Sequence, residues 1–256
     1  MRVTLITGAA SGLGYEFAEI YASKNNNLLL VDIDEKKLNE VVNTLKLKYE
    51  IIIESIVTDL GNKDELKKIY QYTKDHGYFV DNLVNSAGFG DRCDFLDMDI
   101  DKQMAMTDVD CNALLYFTKV FADEMAKQNE GHIINVASIA GFMSGPYMCT
   151  YHACKAYVLL LGEAISHELR KTNVKLLTLC PGPFLSDFVK KAHNDYTFQK
   201  IKPVTAKKVA EFGYKKSLKG KTMAIVGLKN RLTVFICRFF PRKMVTAVSA
   251  KNMKKE

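Results

Sequence analysis

The sequence has no tryptophan, only five prolines and no long apolar run. A membrane-spanning helix needs about 20 predominantly apolar residues in succession, and no stretch of the chain approaches that length. The six cysteines form no Cys-x-x-Cys pair and no cysteine–histidine spacing typical of zinc ligands, so no metal site is predicted. We interpret them as reduced thiols of a cytoplasmic protein. The start, MRVTLIT, enters a glycine turn after a short apolar run, which argues against a signal peptide.

The composition is that of a globular protein with one uneven feature, its charge. With 256 residues, 48% of them hydrophobic, and no repeat or proline-rich linker, the sequence predicts a single domain over residues 1–256. Residues 1–199 carry 20 basic and 27 acidic side chains, whereas residues 200–256 carry 16 basic and 2 acidic. Such a basic end can bind nucleic acid, a membrane surface or an acidic ligand. A solvated lysine-rich surface is the favoured interpretation, and no nucleic-acid-binding motif is present.

Apolar segments of strand length alternate with amphipathic segments of helix length. The predicted strands are residues 2–7, 27–32, 51–57, 82–86, 131–137, 174–180 and 222–227. The predicted helices are residues 12–24, 35–48, 62–75, 101–129, 150–172 and 204–219. This alternation predicts an α/β fold with a doubly wound, seven-stranded parallel sheet and helices on both of its faces. Sheets of this kind bind ligands at the carboxyl ends of their strands.

The turn TGAASGLG follows the first predicted strand and opens the first predicted helix. Gly8 permits a tight turn, Gly12 lets the backbone approach a pyrophosphate, and Gly14 lets the helix pack near the strand. The helix N-terminus offers unpaired N–H groups to phosphates, and Ser11 and Leu13 supply further loop contacts. Because the spacing differs from the G-x-G-x-x-G fingerprint, an ordinary strand–turn–helix junction is the alternative.

Asp32 closes the second predicted strand, 18 residues after Gly14. A carboxylate there can accept hydrogen bonds from both hydroxyls of an adenosine ribose and would repel a 2′-phosphate, which favours NAD over NADP. Asp34 is the better cap for the next helix, which leaves Asp32 for the ribose. Lys36 and Lys37 lie close enough to keep NADP as an alternative.

Other candidate cofactor contacts follow the third and fourth predicted strands. Asp59 and Leu60 follow the third strand, where an adenine ring can rest. Asn85, Ala87 and Gly88 follow the fourth, and the small residues among them allow a close approach of the backbone. Turn formation explains each of these residues equally well when it is taken singly.

Tyr151 and Lys155 are four residues apart in a predicted helix and therefore share a face. A free tyrosine has a pKa of about 10, and a neighbouring ammonium lowers it towards a value useful for acid–base catalysis. Ser138 follows the fifth predicted strand and can donate a hydrogen bond to a substrate oxygen as charge develops on it. Lys155 can also hold a nicotinamide ribose. A surface tyrosine–lysine pair is the alternative, and His152 is interpreted as a packing residue.

Over residues 1–226 the chain resembles the short-chain dehydrogenase/reductase family. TGAASGLG, NSAG (85–88) and YHACK resemble that family's glycine turn, its NNAG segment and its YxxxK pair. The resemblance implies a Rossmann-like fold and a catalytic set of Asn112, Ser138, Tyr151 and Lys155, in which Asn112 supports a proton relay. It also implies nicotinamide contacts from the loop that holds Pro181, Gly182 and Phe184, and a homo-dimer or homo-tetramer built on the long helices.

Two segments remain for substrate and partners. Residues 183–203 form the predicted substrate lid. Its apolar members favour a steroid, a bile acid or an acyl chain, and they are Phe184, Leu185, Phe188, Val189, Tyr196 and Phe198. Residues 228–256 form a basic C-terminal extension with apolar residues at helical spacing, broken by Pro241. We interpret it as a helix closing over the cleft or the core edge; contact of residues 228–243 with a membrane surface is the less favoured alternative.

The sequence therefore predicts an NAD(H)-dependent oxidoreductase that interconverts a hydrophobic secondary alcohol and a ketone. One alternative is an NADPH-dependent 3-oxoacyl reductase of the same fold. The other is a non-catalytic nucleotide-binding scaffold protein.

Overall fold

The computed structural model describes residues 1–185 and 203–253. Most of the predicted substrate lid, including Phe188, Val189, Tyr196 and Phe198, lies outside the described residues. The structural statements that follow concern the described ranges.

A parallel sheet of seven strands forms the centre of the molecule. In chain order its strands are β1 (Arg2–Thr7), β2 (Leu28–Asp32), β3 (Ile53–Val57), β4 (Phe79–Asn85), β5 (Gly131–Val136), β6 (Val174–Cys180) and β9 (Met223–Ile225). Two short strands between β6 and β9, β7 (Phe184–Leu185) and β8 (Val204–Thr205), pair with each other in a separate ribbon. The order across the sheet is β3-β2-β1-β4-β5-β6-β9. Because the order reverses between β1 and β4, the loops after these two strands diverge and leave a crevice.

The helices are α1 (Gly12–Ala22), α2 (Glu35–Lys48), α3 (Lys63–Asp75), α4 (Ile100–Thr107), α5 (Leu114–Gln128), α6 (Cys149–Glu168), α7 (Ala206–Leu218), α8 (Leu228–Cys237) and α9 (Arg242–Met253). Helices α1 to α7 lie between successive strands, and α8 and α9 follow the last described strand. A π-helical turn, Asp108–Ala113, joins α4 to α5. Where one continuous helix is predicted over 101–129, the structure therefore has two helices and a turn of wider backbone winding.

Two apolar layers hold the helices against the two faces of the sheet. On one face, Phe17 of α1, Leu38 of α2 and Val209 of α7 pack against strand residues such as Leu30. On the other face, residues of α3 and α5 are buried against the alternate strand positions, among them Ile69, Phe117, Phe121, Leu5 and Leu83. Strand side chains alternate between the two faces, so central strands covered on both sides are apolar throughout. The predicted fold class, a doubly wound parallel sheet with helices on both faces, is confirmed.

No helix in the described ranges is long and apolar enough to cross a bilayer. Within residues 1–185 and 203–253, no group of three or more histidine, cysteine, aspartate or glutamate side chains suits a metal ion.

Candidate active site

A cleft with a volume of about 600 Å³ lies at the carboxyl ends of the strands. Its walls come from the ends of β1 to β6 and from the loops that follow them, where parallel sheets bind ligands. Most residues that the sequence analysis selected line it: Gly8, Ser11, Gly12, Leu13, Asp32, Asp59, Leu60, Ala87, Gly88, Ser138, Tyr151, Lys155, Pro181, Gly182 and Phe184. Gly14, Asn85 and Asn112 do not line the cleft, and their positions are described below.

Close backbone contacts explain two glycines of the turn after β1. A Cβ atom on Gly14 would lie 2.0 Å from the carbonyl oxygen of Gly8, so Gly14 lets α1 pack against the end of β1. Gly8 itself has a φ of +67°, and a Cβ there would lie 2.8 Å from the Cα of Ala87. The Thr7 hydroxyl oxygen accepts hydrogen bonds from the N–H groups of Ser86 and Ala87, both at 3.1 Å. The turn is therefore held against the loop that follows β4.

The N-terminus of α1 faces the cleft. Ser11 occupies the N-cap position, yet its side chain makes no capping hydrogen bond, and the first helical turn has no acidic residue. The backbone N–H groups and the positive end of the helix dipole therefore remain available for an anion. Together with the glycines, this end of the helix fits the pyrophosphate of a dinucleotide.

Asp32 ends β2 and presents its carboxylate to the cleft. Its Oδ2 accepts the N–H of Ala10 at 2.9 Å, and its Oδ1 accepts the N–H of Asp34 at 3.0 Å. Asp34 is the cap of α2, because its Oδ1 accepts the N–H of Lys37 at 3.1 Å. Each oxygen of Asp32 has a further lone pair, so this carboxylate can still accept hydrogen bonds from two ribose hydroxyls. Lys37 also lines the cleft.

Asn85 does not reach the cleft, in contrast to its expected cofactor contact. The side chain is buried, and its Nδ2 donates to Oδ1 of Asn135 at 2.8 Å and to Oγ1 of Thr118 at 3.1 Å. Asn85 therefore ties the end of β4 to β5 and to α5. The turn around it still contributes Ala87 and Gly88 to the wall of the cleft.

Tyr151, Lys155 and Ser138 all line the cleft. Tyr151 and Lys155 lie one turn apart on α6, and Lys155 Nζ is 5.5 Å from the centroid of the Tyr151 ring. The ammonium also donates to the carbonyl oxygen of Val136 at 3.3 Å, which orients the lysine towards the end of β5. Ser138 follows β5, and its hydroxyl donates to the carbonyl oxygen of Pro181 at 3.4 Å. The three side chains that the spacing predicted to act together are therefore neighbours.

The charge state of Tyr151 depends on opposing influences. Burial raises the pKa of the phenol above its usual value. The Lys155 ammonium lowers this pKa, the Asp110 carboxylate raises it, and a hydrogen bond with Ser138 lowers it. The pKa of Tyr151 therefore lies above its usual value, because burial outweighs the lowering effect of the Lys155 ammonium.

Asn112 reaches neither Lys155 nor the cleft, so the geometry does not match its expected role in a proton relay. It is exposed, and its Nδ2 donates to Oδ1 of Asp108 at 2.7 Å. Two residues earlier, Asp110 is 0% exposed, and its Oδ2 lies 2.9 Å from Nζ of Lys155. The π-helical turn carries both residues and turns Asp110, not Asn112, towards the site. The surrounding segment 107–113 reads TDVDCNA and also contains Asp108 and Asn112, so the sequence offers no signal that singles out Asp110.

The segment between Ser138 and Tyr151 gives the cleft an apolar wall. Ile139, Met143 and Met148 line the cleft. Phe89 and Val109 add apolar surface from the loop after β4 and from the π-helical turn. An apolar wall next to the tyrosine fits a hydrophobic substrate.

His152, interpreted from the sequence as a packing residue, lines the cleft and also holds this wall. Its Nδ1 lies 2.8 Å from the carbonyl oxygen of Met143, and a Cβ on Gly145 would lie 2.1 Å from the imidazole ring. Tyr147 has a φ of +68°, which is rare for an aromatic residue, and its carbonyl oxygen accepts the N–H of Cys93 at 3.0 Å. The wall is thus held in a defined conformation by contacts on both sides.

The two C-terminal helices are placed differently. The last described residue of α9, Met253, lines the cleft, and Nε of Arg92 donates to its carbonyl oxygen at 2.8 Å. In contrast, α8 buries Val234 and exposes Leu232 and Phe235. Asn230 of α8 packs directly against the backbone of Gly182, where a Cβ would lie 2.3 Å from its Nδ2. The extension therefore reaches the site through α9 and through the start of α8.

The parallel sheet, the glycine turn at a helix N-terminus and the neighbouring tyrosine–lysine pair define a Rossmann-like protein with a site suited to a dinucleotide and to proton transfer. The chain matches the short chain dehydrogenase family model over residues 2–197, and it belongs to that family of oxidoreductases. An uncharacterized oxidoreductase of Staphylococcus saprophyticus is 33% identical over 181 residues, which are 71% of this chain and 77% of the relative.

Solved structures have the same architecture. A short chain dehydrogenase/reductase from Burkholderia phymatum in complex with NAD matches with a TM-score of 0.84 and 26% identity, over 91% of this chain and 92% of that chain. A 7beta-hydroxysteroid dehydrogenase matches with a TM-score of 0.85 over 97% of this chain and 96% of that chain, at 22% identity. At that identity the second likeness concerns the fold.

Proposed function

We propose that this oxidoreductase uses NAD(H) to interconvert a hydrophobic secondary alcohol and the corresponding ketone. The observation that carries the proposal is the convergence of Tyr151, Lys155 and Ser138 in a cleft whose other wall is a glycine turn at a helix N-terminus. In this proposal the turn at Gly8 and Gly12 holds the pyrophosphate.

The preference for NAD rests on Asp32. Its half-buried carboxylate would accept hydrogen bonds from the adenosine ribose hydroxyls and repel a 2′-phosphate. The Burkholderia structure in complex with NAD supports the same cofactor class. Lys37 in the cleft is the observation that favours the rival cofactor, NADPH, and with it a 3-oxoacyl reductase.

The chain's own residues would move the proton and orient the substrate. Bound nicotinamide supplies or accepts the hydride. The Tyr151 hydroxyl donates a proton to the ketone oxygen in reduction and, as phenolate, takes it back in oxidation. Ser138 orients that oxygen by a hydrogen bond, and Lys155 stabilises the phenolate and holds the nicotinamide ribose. The loop with Pro181 and Gly182 would contact the carboxamide end of the cofactor.

The substrate class is inferred from the apolar wall formed by Ile139, Met143 and Met148. Steroids, bile acids and acyl chains have suitable surfaces. The segment 183–203, predicted as the lid, would add further contacts.

We also propose that the chain forms a homo-oligomer through α5 and α6. Exposed apolar side chains support this proposal, since Leu115 of α5 and Tyr157 and Leu160 of α6 are all exposed. The cytoplasmic location and the single-domain organisation stay predictions from the sequence, and membrane contact through residues 228–243 stays the less favoured alternative.

The decisive experiment follows NADH absorbance while a panel of hydrophobic alcohols and ketones is offered to the wild type and to Tyr151→Phe. General acid–base catalysis contributes about 100- to 10,000-fold, so the variant should lose at least roughly 100-fold in kcat while it still binds NADH. Tyr214→Phe, on α7 and outside both the cleft and the proposed oligomer surface, is the matched control and should keep wild-type turnover.

Two results would contradict the proposal. Full activity in Tyr151→Phe would remove the phenol from the chemistry. NADH binding without turnover of any substrate by the wild type would instead favour a nucleotide-binding scaffold.

A further inference from the structure

A fully buried ion pair lies beneath the proposed catalytic tyrosine. Asp110 is 0% exposed and Lys155 is 5% exposed, and Oδ2 of the aspartate lies 2.9 Å from Nζ of the lysine. The second oxygen, Oδ1, accepts the backbone N–H of Phe89 at 3.0 Å. Buried charges are retained where they are paired and hydrogen-bonded, and both conditions hold here.

The surroundings are shaped to admit this carboxylate. A Cβ on Gly88 would lie 2.8 Å from Oδ1 of Asp110, so a larger residue would compete with the carboxylate for the same space. Gly88 belongs to the loop after β4 that lines the cleft. Asp110 therefore connects the loop beside the proposed cofactor site to the lysine beside the proposed catalytic phenol.

The positive charge of the Lys155 ammonium and the negative charge of the Asp110 carboxylate largely cancel. Burial by itself lowers the pKa of Lys155, but the Asp110 carboxylate, together with Tyr151 and Cys154, more than offsets this and holds the pKa above its usual value. Burial raises the pKa of Asp110 above its usual value, and the Lys155 ammonium and the Phe89 N–H offset this rise only in part. The contact of 2.9 Å between the carboxylate and the ammonium is what makes these two residues an ion pair.

Among the other titratable groups near Tyr151, Cys154 also raises the pKa of the phenol, by a smaller effect than those of Lys155 and Asp110. His152 on α6 is neutral at neutral pH, because burial lowers its pKa below the usual value. The thiols of Cys111 and Cys154 flank the ion pair and are buried. The remaining charges that line the described part of the cleft near this end belong to Lys102, which is paired with Asp91 at 2.7 Å. Asp110 and Lys155 are therefore the charges that set the state of Tyr151 among the described residues.

We propose that Asp110 is a positioning residue that neutralises the Lys155 ammonium and so keeps Tyr151 in its protonated form at neutral pH, ready to donate a proton to a ketone. This inference rests on the proposed function of the site. A lone ammonium would stabilise the phenolate and make Tyr151 a base at neutral pH. An ammonium already paired with a buried carboxylate stabilises the phenolate less.

The Asp110–Lys155 ion pair would control the availability of the Tyr151 proton, which is consumed in one direction of the reaction and recovered in the other. In ketone reduction the carbonyl carbon accepts hydride from the reduced nicotinamide, and the carbonyl oxygen accepts the Tyr151 proton. An alcohol, the oxidised nicotinamide and a phenolate result, and solvent then returns a proton to the phenolate. Reduction therefore requires the protonated phenol and oxidation requires the phenolate. The rate of reduction should fall, and the rate of oxidation should rise, as the pH passes through the pKa of Tyr151.

The test uses Asp110→Asn, which keeps an acceptor for the Phe89 N–H but removes the charge. The pH dependence of kcat/KM is measured for ketone reduction and for alcohol oxidation in the wild type and in the variant. We expect the inflection of both profiles to move to lower pH by about one unit, because the uncompensated ammonium then favours the phenolate. An inflection that stays in place or moves to higher pH would overturn the proposal.

A second measurement does not depend on turnover. In protein labelled with ¹³C at the tyrosine hydroxyl-bearing carbon, the Tyr151 resonance is assigned as the one absent from Tyr151→Phe, and it is then titrated. In the wild type this phenol should remain protonated well above neutral pH, and in Asp110→Asn it should ionise at lower pH. A wild-type phenol that is already ionised at neutral pH would overturn the proposal even if the variant failed to fold.

Asp91→Asn is the matched control, because it breaks a second ion pair of the same cleft without touching Lys155. It should leave the Tyr151 titration unchanged, and an equal shift in this control would also overturn the proposal. Absence of turnover in every protein, with the expected shift of the Tyr151 resonance, would refute the proposed function and leave the role of Asp110 intact.

Discussion

Replacing Gly14 by alanine tests the glycine turn most directly. The new Cβ would lie 2.0 Å from the Gly8 oxygen and 2.7 Å from the Gly8 carbonyl carbon, and both are backbone atoms that no side-chain rotation can move. Ordinary contact begins at 3.4 Å, so α1 and the end of β1 must separate by about 1.4 Å. Overpacking of this kind costs about 1–3 kcal/mol.

The expected loss of stability corresponds to a fall in Tm of about 2–12 °C for a domain of this size. The same displacement moves the N–H groups at the start of α1 away from the pyrophosphate position. Since a misplacement of about 1 Å can cost roughly 100-fold in rate, kcat/KM for NADH should fall by a similar factor.

Thermal unfolding measures the change in Tm, and initial rates at varied NADH concentrations measure kcat/KM. Gly61→Ala is the matched control for stability, because its Cβ would meet a side chain, that of Asp59 at 3.2 Å, and should change the free energy of unfolding by less than about 0.5 kcal/mol. If Gly14→Ala kept both the wild-type Tm and the wild-type kcat/KM for NADH, the close packing of α1 against β1 would be refuted.

Three further predictions concern cofactor choice, pH and assembly. Asp32→Asn removes the charge that disfavours a 2′-phosphate. The Kd for NADPH divided by the Kd for NADH, both measured by fluorescence titration, should therefore fall roughly tenfold, and an unchanged ratio would refute the role of Asp32. Burial lowers the pKa of His152, so the unfolded chain binds this proton more readily and stability should decline as the pH falls below about 6.5. Urea unfolding at about pH 7 and about pH 5 should show a smaller decline for His152→Gln than for the wild type. Leu160→Lys should dissociate the homo-oligomer in sedimentation experiments, whereas Leu232→Lys on α8 should not, and the reverse pattern would assign the interface to α8.

The sheet could be predicted from the sequence because strands that are covered on both faces consist of consecutive apolar residues. Leu28 to Val31 are apolar and buried in succession, and the strand-length run predicts this directly. The same pattern is weaker in β3 at the edge of the sheet, where Glu54 and Val57 are partly or fully exposed, and the strand begins two residues later than predicted. The break at Pro241 between the two C-terminal helices was also predicted, and it is confirmed by α8 and α9.

The details of the site were less predictable where they depend on which side of an element a residue faces. Tyr151 and Lys155 share an ordinary α-helix, so their spacing sufficed. Asn112 and Asp110 lie in a π-helical turn, whose wider winding changes the direction of each side chain. No residue pattern in the sequence predicts that turn. Asn85 ends the expected strand but hydrogen-bonds across to Asn135, a partner 50 residues away that only the assembled sheet brings close.

The carbonyl of Met253, held by Arg92 at the rim of the cleft, has a practical consequence for anyone who produces this protein. An affinity tag fused after the C-terminal helix would emerge beside the entrance for substrate and could compete with it. The amino group of Met1 instead bonds to the carbonyl oxygen of Gly77 at the opposite end of the strands, 2.9 Å away. Purification handles and surface immobilisation are therefore better placed at the N-terminus, where they leave the approach to the cleft open.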